Sequence, residues 1–401
     1  MQFPLSTLIL NFNESNKMKK PVLYLFVFIV AFSCKEKFVP SLQSPATGYL
    51  VVEGFISNGS QPTTVTISRS VKLYDTATVK YEHNANARIE SSNQEVYPLS
   101  ETGNGVYSAS PVVLNNAEKY RLHITTQDGR EYVSDFETVK NTPPIDSLSW
   151  KRENGGVTIY VSTHSNAATH GYYRWDYEET WEFHSAFGSS LAYFSDPVTN
   201  FLLGVGYRTS DHGIDSSIFR CWKSLTSTDI HIASSEKLTS DVIYQALLHI
   251  AEGQQRLSLL YSINVKQYSL TPESYAFYQG LKQNTENLGS IFDPLPTSLP
   301  SNIHCITDPS EVAVGYIDIS TEQSQRIFIS NASVPGWNYN PECPLVILDN
   351  NPDSLQKYGY GTLPIGPKTT VQLAIKDFYA SDPDCVDCTL TGSNKRPPFW
   401  P

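Results

Sequence analysis

The sequence predicts a mainly β protein, and three observations carry the prediction. Aromatic residues make up 12% of the chain. Short stretches alternate apolar with polar residues, and turn signals built from Gly, Pro, Asn and Asp recur about every ten residues. The expected architecture is an N-terminal immunoglobulin- or transthyretin-like β-sandwich. A larger β-rich domain follows, with one clear α-helix and a loop-rich, cysteine-containing C-terminal part.

The elements begin with a targeting segment. Lys17, Lys19 and Lys20 precede an unbroken apolar run over residues 21–32 (PVLYLFVFIVAF), which stops at Ser33 and Cys34. As helix that run rises about 18 Å, short of a hydrocarbon core of about 30 Å. A basic flank, a short apolar core and a small residue before the cut predict a signal peptide over 1–33, with Met18 an alternative start. The stretch AFSC has the form of a bacterial lipobox, in which Cys34 is acylated and becomes the first residue of the mature chain. Lys35, Glu36 and Lys37 resemble the charged tag of some surface lipoproteins, and residues 34–46 read as a lipidated tether. Removing 1–33 takes away three lysines and Glu14, moving the formal charge from −11 to −13. An acidic chain without a basic run excludes nucleic acid and electrostatic attachment to anionic lipid. The membrane contact is then the lipid itself, and several acyl chains on one cysteine hold firmly where one does not.

Residues 47–142 read as the sandwich. YLVVEGFI is followed by Asn58-Gly59, NARIESSNQEVYPL leads to Gly103-Asn104-Gly105, and YRLHITT meets Asp128-Gly129 before REYVSDFETV. Tyr120, Leu122 and Ile124 alternate with Arg121, His123 and Thr125, the period of a strand with one buried face. Asp128-Gly129 between two such runs predicts a hairpin. Pro143-Pro144 removes two ladder donors and marks a linker.

Residues 145–401 form the second region. In YYRWDYEETWEF (172–183) Tyr173, Trp175, Tyr177, Trp181 and Phe183 share one strand face, and Arg174, Asp176, Glu178 and Glu182 share the other. Such a stripe is a sandwich core by default. Exposed, Tyr173, Trp175, Tyr177 and Trp181 would make a stacking surface for a glycan or a partner. Residues 186–217 read as a long irregular loop, functional or mobile. A helix is predicted over about 272–288, with Thr271 as N-cap, Pro272 at its first position and Gly289 as its stop.

Chemistry is sparse. Cys385 and Cys388 form a Cys-x-x-Cys pair, but Asp384 and Asp387 beside them favour the protonated thiol, and the tail after them is too short and proline-rich for the helix a thioredoxin-type site needs. Zinc would require ligands among His304, Cys305, Cys343 and Cys221 at irregular spacing. An exported chain favours disulfides. With Cys34 acylated, Cys221, Cys305, Cys343, Cys385 and Cys388 remain, an odd set that leaves one thiol free and the connectivity open. The Cys385/Cys388 pair reads as a staple near the chain's end. If its two cysteines bridge each other the closed loop adds roughly 2 kcal/mol, whereas a bridge such as Cys221 to Cys305 adds roughly 4.5. Asp211, His212 and Asp215 in SDHGID, the His304-Cys305 pair, and Glu178, Glu179 and Glu182 near aromatics read as ordinary polar residues. No nucleophile elbow, His-Glu-x-x-His, phosphate loop or dinucleotide fingerprint is present. No cofactor, no metal and no catalytic residue are expected.

Taken in order, the lipobox, PPIDSLSW (143–150), YYRWDYEETWEF, RCW (220–222), GSIFDP with NIHC (289–305) and CVDCTLTGSNKRPPFW (385–400) resemble a family of Bacteroidota outer-membrane lipoproteins of unknown function. The chain departs from that pattern beside Gly392, where a second glycine is more usual. Members are commonly encoded beside TonB-dependent receptors bearing a carboxypeptidase-regulatory-like domain. The resemblance therefore implies a non-enzymatic, lipid-anchored outer-membrane or cell-surface protein, an accessory capture partner of such a transporter. The alternatives are a surface carbohydrate-binding or adhesive module, with a glycan or peptide ligand, and an exported hydrolase with an unrecognised site.

Overall fold

Alternation builds the first sheet. The computed structural model describes residues 48–71, 79–166, 170–210, 213–286 and 299–401; the signal segment, Cys34, Asp211, His212 and Gly289 lie outside them. The first nine strands are β1 (Leu50–Ser57), β2 (Thr63–Arg69), β3 (Lys80–Tyr81), β4 (Asn86–Ser91), β5 (Val96–Gly103), β6 (Val106–Ala109), β7 (Lys119–Thr125), β8 (Glu131–Ser134) and β9 (Glu137–Thr138). Tyr120, Leu122 and Ile124 of β7 are buried with Leu50, Val52, Ile67 and Ile89 in one core. Gly129, with φ +84°, closes the expected turn between β7 and β8.

The chain then builds β10 (Ile145–Glu153), β11 (Gly156–His164), β12 (Tyr172–His184), β13 (Leu191–Ser195), β14 (Leu202–Tyr207), β15 (Thr209–Ser210), β16 (Gly213–Ile214), β17 (Arg220–Thr226), β18 (His231–Ser234), β19 (Val242–Ala251) and β20 (Leu260–Ser269). Helix α1 (Pro272–Glu286) follows; Thr271 Oγ1 accepts from the Ser274 amide at 3.0 Å, the predicted cap. The remaining strands are β21 (Ile303–Cys305), β22 (Ala313–Gly315), β23 (Asp318–Ser320), β24 (Gln323–Ser330), β25 (Val346–Asp349), β26 (Leu363–Val371) and β27 (Ala374–Ser381). Between β25 and β26 lies α2 (Pro352–Tyr358), and after β27 a single turn, α3 (Pro383–Val386).

Two expectations need correction here. The first sheet is not finished at residue 142. It runs β21-β8-β7-β4-β5-β6-β2-β1-β22, with β23 also paired to β1, and a His304–Val312 bridge links its two ends. Residues 303–320 thus leave the second region and complete a nearly closed sheet. The physical reason is the outer edge of β1, whose free backbone groups take parallel partners in β22 and β23. The linker is fastened too, since Thr142 donates to Thr321 O while its amide donates to Thr321 Oγ1 at 2.8 Å.

The second correction concerns residues 186–217. Within them β13 and β14 form an antiparallel hairpin, which buries Leu191, Leu202 and Val205 against Leu348 of β25, Leu355 of α2 and Phe378 of β27.

Between these parts, β10-β11-β19 faces β17-β12-β20-β24. Val157, Ile159 and Val161 of β11 meet Tyr177 of β12 and Tyr261, Ile263 and Val265 of β20 in a shared core. The protein is mainly β, as predicted. Among the described residues no helix is long and apolar enough to cross a membrane.

Candidate functional site: a cleft on the outer face of the longest strand

Strand β12 decides where chemistry can sit. Its odd residues point inward: Tyr173, Trp175, Tyr177 and Trp181 are each at most 6% exposed. Three of the four polar tips are bonded inside. Tyr173 Oη donates to Asp241 Oδ2 at 2.6 Å, Trp175 Nε1 to Gln267 Oε1 at 2.8 Å and Trp181 Nε1 to Gln255 Oε1 at 3.2 Å. These four aromatics are core, not a stacking surface. Burying large rings outweighs any advantage of presenting them to solvent.

Two even residues near the start of the same strand, Arg174 and Asp176, line a cleft of about 670 Å³ formed with β1, β2, β22 and α1, whereas Thr180 and Glu182 further along are buried. Arg174 and Asp176 come from β12, and Val51, Glu53 and Gly54 from β1. Thr64 and Thr66 come from β2, Phe277, Tyr278 and Leu281 from α1, and Val314 and Gly315 from β22. The floor is narrow because two glycines allow close strand approach. A Cβ on Gly315 (φ +145°) would lie 2.2 Å from Val52 O, and one on Gly54 (φ +143°) 2.5 Å from Thr64 O. A second recess of about 230 Å³, lined by Glu178, Lys266 and Tyr268, shares Asp176 and Thr226 with the cleft.

Arg174 is the centre of the site. Its guanidinium lies between the rings of Tyr268 and Tyr278, 4.9 and 4.8 Å from their centroids. Nη1 donates to Tyr278 Oη and Nη2 to Asp176 Oδ2 at 3.0 Å. Burial pulls its pKa down, but Tyr278, Asp176, Tyr268 and Asp318 around it raise it overall, so the group stays charged. Behind it Asp318 is 4% exposed and accepts from Ser274 Oγ, while its Oδ1 has no hydrogen-bond partner among the described residues. Burial pushes the Asp318 carboxyl up to about 6, against the pull of Ser274 and Arg174. The amide end of α1 lies at the same place, because Ser274 belongs to its first turn. The cleft thus joins apolar walls to a fixed cation and to carboxylates on two sides.

The other sequence candidates are dispersed. Cys221 of β17 bonds to Cys388, and Cys343 to Cys385, with Cα separations of 5.8 and 5.9 Å. The Cys385/Cys388 pair is therefore not a closed staple. Asp387 between them is extended, with φ −118° and ψ 99°, which sends the two side chains to different partners. The single turn α3 ends at Val386, before the proline-rich tail, and Asp387 Oδ1 caps the turn after it by accepting from the Thr389 amide at 2.8 Å. Among the described residues Cys305 is the free, buried thiol. His304, on the opposite strand face, binds Asp135 at 3.1 Å, so the two are no catalytic pair. Asp215 pairs with Arg208 at 3.0 Å, and Glu179 is buried against Tyr261 and Arg256. Bonding of four cysteines to one another also removes them as zinc ligands.

Comparison with known proteins places the chain in a family but gives no activity. A family described as a domain of unknown function, DUF4249, matches residues 35–326 and stops before Cys343, Cys385 and Cys388. No curated protein matches the chain. Among solved structures the chain is similar, at 10% identity and a TM-score of 0.19, to a DUF4785 family protein from Legionella pneumophila. That similarity covers 54% of this chain and 51% of the other, so the chain spans about half the length of that protein. With most of its length matched by the family model, the chain belongs to the DUF4249 family.

Proposed function

We propose that the protein is a non-enzymatic, lipid-anchored accessory protein of the outer membrane or cell surface. In this reading it captures a small ligand for a TonB-dependent transporter. The observation that carries it is the cleft. Largely apolar walls with a few convergent polar groups, at a junction between rigid elements, are the usual form of a small-ligand site. Two long-range disulfides support residence in an oxidising compartment. In this reading the lipobox at Cys34 is the anchor, and the partner is the one implied by the resemblance to lipoproteins encoded beside such receptors. The test is co-purification of the tagged full-length protein from detergent-solubilised outer membranes. A TonB-dependent receptor is expected in stoichiometric amount, and a protein that always runs alone overturns the partnership. A Cys34→Ala variant is expected to leave the membrane fraction.

A further inference from the structure

The chemistry of the cleft narrows its ligand. Resting on the reading of the cleft as a capture site, we propose that it binds a short peptide with free termini, the carboxylate held by Arg174 and the ammonium by Asp176 and Glu53.

Three features point there. First, Arg174 is presented as a rigid fork. The two tyrosine rings fix its plane, and each Nη nitrogen has spent one of its two hydrogens, on Tyr278 and Asp176, leaving one each for a carboxylate. Second, the cation does not stand alone. Glu53 lies on the wall opposite β12 and Asp176 beside the guanidinium, so a simple anion meets repulsion while a zwitterion satisfies both signs. Third, the walls are Val51, Phe277, Leu281 and Val314, with hydroxyls at Thr64, Thr66, Thr226 and Ser227, which suits aliphatic side chains and a peptide backbone. A glycan fits less well, because sugar stacking needs an open aromatic face. Arg174 occupies faces of Tyr268 and Tyr278, and Phe277 and Tyr316 are buried.

The test is calorimetric titration of the mature protein with leucyl-leucine, N-acetyl-leucyl-leucine, leucyl-leucine amide and maltotriose. Free leucyl-leucine is expected to bind at least tenfold more tightly than either blocked form, and maltotriose not at all. Asp176 has a partly exposed side chain and Thr64 is exposed, so both positions tolerate change. Asp176→Asn is expected to shrink the difference between free and N-acetylated peptide to about threefold or less. Thr64→Trp, which fills the cleft from β2, is expected to abolish binding while the melting temperature stays unchanged. Equal affinity for free and blocked peptides, binding of maltotriose lost in Thr64→Trp, or no binding of any probe overturns the proposal. Those results leave receptor partnership untouched, because co-purification reads it separately.

Discussion

Removing the Cys221–Cys388 bridge with Cys221→Ala/Cys388→Ala is the perturbation with the largest calculable effect. The bonded residues are separated by 167 positions, and chain-entropy arithmetic assigns a loop of that size about 5 kcal/mol at 25 °C. The Cys343–Cys385 bridge closes 42 positions and is worth about 4 kcal/mol by the same relation. Both cysteines of the longer bridge are fully buried, so their removal also costs packing. In urea melts the first double variant is expected to lose about 5 kcal/mol and the second about 4. In thermal melts, at about 1.3 °C per kcal/mol for a chain of this size, the losses are about 7 and 5 °C. Non-reducing peptide mapping read alongside the melts identifies the linked peptides. A Cys385–Cys388 linked peptide, or a cost of no more than about 2 kcal/mol for the first variant, refutes the crossed connectivity; the smaller figure is what a four-residue loop would contribute.

Three further outcomes follow from the structure. The Asp318 carboxyl is raised from 3.8 to about 6, so the folded state binds a proton more tightly than the unfolded one. Stability then falls as pH rises across that window, by about 3 kcal/mol; Asp318→Asn, which keeps an acceptor for Ser274, is expected to flatten that dependence, and an equal change in urea-melt stability between pH 4 and pH 7 for wild type and variant disproves the assignment. Cys305 is buried and unbridged, so Ellman's reagent is expected to find no thiol in the native mature protein and one after denaturation without reductant, whereas two would show Cys34 unacylated. Trp175 is fully buried, and Trp175→Ala is expected to cost about 3–5 kcal/mol; an unchanged melting temperature contradicts its place in the core.

Much of the fold is legible in the chain itself. The period-two pattern at Tyr120–Thr125 and the Asp128-Gly129 turn are local, because side-chain alternation and positive φ are properties of a few adjacent residues. The same holds for the start of α1 at Thr271-Pro272. The odd count of cysteines after Cys34 implies a free thiol, and counting needs no geometry. The alternation in β12 likewise separates aromatics from charges by residue order alone.

What the alternation leaves open is which face is inside. That depends on which sheet arrives to cover it, and β10-β11-β19 covers the aromatic face. Only then do Arg174 and Asp176, rather than Trp175 and Tyr177, become the residues that line the cleft. The return of residues 303–320 to β1 and the crossing of the Cys385/Cys388 pair to Cys343 and Cys221 are decided the same way. Each joins residues far apart in sequence, and a partner's distance along the chain carries no local signal. The β class, the turns and the helix start are written in neighbouring residues. The bridges, the closing of the first sheet and the cleft exist only in the folded chain, because all three are made by contacts between segments that are distant in sequence.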